Sequence, residues 1–212
     1  MPSVGIEITV ALICLSSLAA LPSIAGIFPN LIGCIAWWKE NVNLNSSGHL
    51  KRARNSATIL LIPVFLLICS IHGIYPPTET LDITSAILYN IPIFGAYIAV
   101  RSLCILIFRN RDNIGANEYG CAVTAPFNYF IIACILMALT SLVAGISHIG
   151  ADMIRSLLRW ELIVVYALCL LRKTQIFAYN RGFFSGILYL CTLEILPTGL
   201  LIAPIWLLQY VH

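Results

Sequence analysis

The sequence predicts an all-α polytopic membrane protein, a bundle of about six transmembrane helices forming a single domain over residues 1–212. Three observations predict it. The 212 residues are 60% hydrophobic and only 10% charged, with a mean hydropathy of +0.93, whereas an ordinary soluble domain is roughly a quarter charged. Too few polar side chains remain to cover a water-facing surface, so lipid must solvate much of the chain. Six stretches are long and apolar enough to cross a hydrocarbon core of ~30 Å, which takes about 20 helical residues. The basic residues, finally, are concentrated in alternate connecting segments.

The spans run from Gly5 to Ile27, Ala57 to Tyr75, Ile83 to Phe108, Thr124 to Ser147, Ile154 to Leu171 and Gly182 to Val211. The first is a retained span, because Met1 to Glu7 has no Lys or Arg where a secretory leader is positively charged. After it, Phe28, Leu31, Ile32, Ile35 and Trp38 recur at helical spacing behind Pro29. That segment is either an interfacial helix lying in the headgroups or a bent continuation of the first span. Asn43 to Arg54, rich in Asn, Ser and Gly, reads as the longest flexible loop. Its Asn45-Ser46-Ser47 matches a glycosylation sequon but falls in a loop expected inside the cell, out of reach of that modification. Pro63 in the second span, and Pro92 with Gly95 in the third, are breaks that spanning helices tolerate. The fifth carries Arg159 and Glu161, and the sixth carries Glu194 with Pro197 one turn later, predicting a kink that frees backbone carbonyls beside the carboxylate.

Lys and Arg near span ends stay in the cytoplasm. Lys39, Lys51, Arg52 and Arg54 occupy the first loop, Arg109 and Arg111 the third, and Arg172, Lys173 and Arg181 the fifth. The second loop has only Glu79 and Asp82. Both termini are therefore expected on the non-cytoplasmic side.

An ionisable group inside a span costs a few kcal/mol and is a functional hypothesis that needs a partner. Counting helical rise from the cytoplasmic ends puts Arg101 at roughly 12 Å, Glu161 at roughly 16 Å and Glu194 at roughly 18 Å. Arg159 is half a turn further out. These depths predict a charge-balanced buried cluster of Arg101, Arg159, Glu161 and Glu194. It is either a structural clasp joining three helices or a site for a substrate, a proton or an anionic headgroup.

His72 and His148, at the outer ends of the second and fourth spans, offer a weaker metal or haem alternative without a third ligand at fixed spacing. No cofactor is predicted. The eight cysteines lie mostly in apolar runs, without a Cys-x-x-Cys pair, and read as small buried residues. The small net charge of +3 argues against a nucleic-acid surface. Ser85-Ala-Ile-Leu-Tyr89 is echoed by Ser185-Gly-Ile-Leu-Tyr189, a match that chains rich in Ile and Leu produce by chance.

The stretch Tyr189-Leu-Cys-Thr-Leu-Glu-Ile-Leu-Pro197 resembles the C-terminal signature of a family of uncharacterised bacterial multi-span membrane proteins, and Phe28-Pro29 resembles that family's early Phe-Pro motif. The resemblance implies a bacterial cytoplasmic (inner) membrane protein and implies no activity. From the residues themselves the leading expectation is an interaction or assembly subunit of a membrane complex, with a membrane-protein partner or as a homo-oligomer in the lipid bilayer. A small transporter or proton-coupled carrier is the alternative, followed by a membrane enzyme or haem-binding protein.

Overall fold

The computed structural model describes residues 4–75, 81–109, 116–147, 150–181 and Thr198. Glu194, Pro197 and, apart from Thr198, the predicted sixth span lie outside the described residues, as does His148. The described residues form helices without a strand: α1 (Val4–Ala36), α2 (Trp38–Ser46), α3 (Gly48–Ile71), α4 (Ile83–Arg109), α5 (Ala116–Ser147) and α6 (Ala151–Arg181). Four of them contain stretches long and apolar enough to cross a membrane: Cys14–Ala36, Gly48–Ile71, Ile83–Leu106 and Thr124–Ser147. The fold is all-helical and compatible with an integral membrane protein. The predicted fifth span falls inside α6, which is helical throughout but is not among the four, since Arg155, Arg159 and Glu161 interrupt its apolar run.

Of the two readings of Phe28 to Trp38, the structure takes the continuation: α1 runs on through Ala36 with Pro22 and Pro29 inside it, so the segment is no separate helix. Nor is Asn43 to Arg54 a loop. Only Ser47 interrupts it, in an extended conformation with φ −80° and ψ 117°. The physical reason is tertiary: the Asn side chains of α2 find partners on α5, and Lys51, Arg52 and Arg54 are good helix formers that extend α3 toward its start.

Each long helix buries a stripe. On α1 it is Ala20, Ile27, Leu31 and Cys34, on α3 Ala57, Leu61, Phe65 and Ile68, and on α6 Ile154, Leu158, Val165, Cys169 and Ile176. α1 packs along α3, α5 along α6, and α3 also against α4 and α5. The rings of Phe65, Phe94 and Phe130 join α3, α4 and α5, with centroids 5.4 to 6.1 Å apart. Large apolar side chains such as Leu18, Ile59, Leu88, Leu142 and Ile146 remain exposed on the outer faces, as lipid solvation allows.

Short α2 touches α1, α3, α5 and α6 and closes one end of the bundle. The opposite end is built from the turn after α3 and the start of α6. There Gly73 takes φ 57°, and the Ile74 N–H bonds back to Cys69 O at 3.0 Å.

Candidate functional site

Polar side chains inside the bundle collect at two levels, and the sequence-predicted charges divide between them. At the α2 end, α1 finishes with carbonyls that have no partner further along the helix. Tyr129 Oη donates to Cys34 O at 2.9 Å, and Arg172 Nη2 donates to Ile35 O at 2.6 Å and Ala36 O at 3.0 Å. A guanidinium is suited to this position because it carries several donors and its charge complements the helix C-terminus. α2 is then tied to α5. Asn128 Nδ2 donates to Asn41 Oδ1 at 2.9 Å, Thr124 Oγ1 to Asn45 Oδ1 at 3.2 Å, and Asn45 Nδ2 to Cys121 Sγ at 3.5 Å.

Two arginines approach one aromatic ring beside this polar layer. The guanidinium carbons of Arg54 and Arg101 each lie 5.9 Å from the centroid of the same ring, that of Phe127. Arg54 is wholly buried and Arg101 is 8% exposed. Arg54 donates through Nε and Nη2 to one atom, Asn55 Oδ1, at 3.3 and 3.1 Å. Its Nη1 is buried and has no hydrogen-bond partner among the described residues. Because α3, α4 and α5 alternate in direction, Arg54 before Phe65, Arg101 after Phe94 and Phe127 before Phe130 all lie on one side of the aromatic triad.

The other level surrounds the turn after α3. Arg155 Nε donates to His72 O and Arg159 Nε to Ile74 O, each at 3.1 Å, so two guanidiniums one helical turn apart hold the carbonyls that flank Gly73. Arg155 also pairs with Asp152 at 3.4 Å. His72 Nε2 meets Ser141 Oγ at 3.1 Å, and burial together with the Arg155 guanidinium holds the imidazole below its ordinary pKa of 6.5. Nearby, Asn90 Nδ2 donates to Ser70 Oγ at 2.9 Å, joining α4 to α3. Glu161 accepts a hydrogen bond from Thr140 Oγ1, while its Oε2 is buried without a partner among the described residues. Tyr166 Oη lies 2.7 Å from Thr198 Oγ1, the described contact between α6 and the segment after it.

Of the four charges expected to share one cluster, Arg159 and Glu161 follow each other on α6, and Arg101 belongs to the other level. Phe127, which touches Arg101, and Thr140, which touches Glu161, are thirteen residues apart on α5, about 20 Å of helix. Arg54, by contrast, reads as a loop residue from its basic, Asn- and Ser-rich surroundings. The signal that reveals it is helical register, for it sits on the stripe of Ala57, Leu61, Phe65 and Ile68.

Among the described residues no group of three or more His, Cys, Asp and Glu side chains is assembled as a metal site would require. Cys34, Cys69, Cys121, Cys134 and Cys169 are buried, and Cys14 is exposed. Comparison of the chain with protein-family models, curated proteins and solved structures yields no match.

Proposed function

We propose that the protein is an interaction or assembly subunit of a membrane complex. The observation that carries this reading is the one-sided packing of α4. Ala86, Asn90 and Arg101 are buried, and Phe94 and Tyr97 half-buried, along one stripe, whereas Leu88, Ile91, Ile98, Leu103 and Leu106 are exposed on the rest of the helix. Only 11% of its most apolar stretch is buried, the smallest share among the four candidate spans. Helices in lipid associate by close packing and polar contacts rather than by the hydrophobic effect, so an open helix side is where a second membrane protein adds contacts at little cost. The exposed Lys39, Lys51 and Arg52 at the α2 end support placing that end in the cytoplasm. The resemblance of Tyr189 to Pro197 to the bacterial family supports the inner membrane as the location. Native mass spectrometry of the protein extracted from its own membrane in mild detergent tests the reading. An excess mass equal to another polypeptide is expected, and a bare mass of 23.3 kDa overturns it.

A proton-coupled carrier is a second reading, favoured by Glu161, whose carboxyl has one oxygen on Thr140 and the other buried without a partner among the described residues. On this reading the protein reconstituted alone in vesicles gives a pH-dependent flux, and Glu161→Gln abolishes the flux while leaving the folded protein intact. Equal flux in both proteins sinks it.

A further inference from the structure

A wholly buried guanidinium is normally matched by a carboxylate or by a full set of acceptors, since the cost of removing it from water is otherwise several kcal/mol. Arg54 has neither. Its two engaged nitrogens share one neutral amide oxygen, and its third is unsatisfied among the described residues. A second guanidinium, that of Arg101, approaches the same Phe127 ring at the junction of α3, α4 and α5. Asn55, which occupies Arg54, is itself exposed, so its side chain can turn to water and release two donors.

We propose that Arg54 and Arg101, over the ring of Phe127, form a binding site for a phosphate-type oxyanion. The anion takes the place of the Asn55 amide on Nε and Nη2 in a bidentate arrangement and satisfies Nη1, replacing neutral hydrogen bonds by charge-assisted ones. The location fits either of two sources of the same chemistry. Arg54 lies in the second turn of α3 beside the exposed Lys51 and Arg52, near the level where lipid phosphates sit if α3 crosses the membrane, and a free phosphate presents the same oxygens. This site is independent of whether the protein has a partner subunit.

The test uses the full chain, delipidated in a neutral detergent. It is titrated with inorganic phosphate and, separately, with short-chain phosphatidylglycerol, with the diacylglycerol of the same chain length as the phosphate-free reference. Retained ligand is read by native mass spectrometry and affinity by the shift in melting temperature. The wild type is expected to bind phosphatidylglycerol, phosphate or both in preference to diacylglycerol, and Arg54→Gln to weaken that binding by about tenfold. Arg52→Gln, the exposed neighbour, leaves it unchanged. Binding of phosphate by itself identifies a free oxyanion as a ligand, and binding of phosphatidylglycerol alone identifies a headgroup. If Arg54→Gln fails to fold, Arg101→Gln carries the same comparison. No preference for the phosphate-bearing probes, or wild-type affinity in the variant that folds, overturns the proposal.

Discussion

Asn128 is wholly buried in the middle of the bundle's polar layer and gives its amide to Asn41, itself 1% exposed. Replacing it by Leu is expected to cost about 1–3 kcal/mol, because the buried Asn41 oxygen then loses its donor. Adding Asn41→Leu should cost far less than it does alone, and thermal unfolding of the double-mutant cycle in detergent checks this. His72 makes a pH-dependent contribution. Its pKa is lowered in the fold, so the released imidazole binds protons more tightly, and the His72–Ser141 contact is at full strength above pH 6.5 and weakens as the pH falls from there through the folded value. Melting temperature should therefore drop between about pH 8 and about pH 5, and by less in His72→Gln. An identical pH profile in the variant refutes the assignment. Arg101, Arg159 and Glu161 were legible as anomalies because a charge inside an apolar run stands out on insertion cost alone. Their partners were not, since the sequence does not specify which helix faces which.

At the scale of the element, helix type and position were largely legible, and ends were not. The apolar runs of α3, α4 and α5 announce themselves, but α1 passes Pro29, and α3 starts well before Ala57, because backbone hydrogen bonds continue wherever neighbouring helices satisfy the surroundings. The end of α1 depends on a distant residue. Arg172→Ala removes the donor shared by Ile35 O and Ala36 O and is expected to loosen the α1–α2 junction at a cost of about 1–3 kcal/mol. Arg172→Lys should recover less than half of this, because an ammonium lacks the planar fork. Hydrogen exchange at 33–41 reports the loosening directly, and unchanged protection there contradicts the capping role. α2 was the least legible element, since a nine-residue helix with low hydrophobicity shows its purpose only once Asn41 and Leu44 are seen packed inside.

For the whole molecule, the arrangement of basic residues predicts orientation. With Cys14→Ala removing the exposed thiol among the described residues, His49→Cys at the α2 end and Gly150→Cys at the far end are both placed on exposed positions. An impermeant maleimide is expected to label Gly150→Cys in intact cells and His49→Cys only after permeabilisation. The reverse pattern inverts the topology. Composition by itself determined that the chain is helical and apolar enough to suit a lipid environment, because hydrocarbon admits only structures that satisfy their own backbone, and a long apolar run does so as a helix. Tertiary structure decided the rest: that α2 folds under the bundle, that Arg155 and Arg159 hold the turn at Gly73, and that Arg54 and Arg101 both approach the ring of Phe127. Those contacts join residues far apart in the chain, and local propensity carries no information about them, because packing between helices chooses which faces meet.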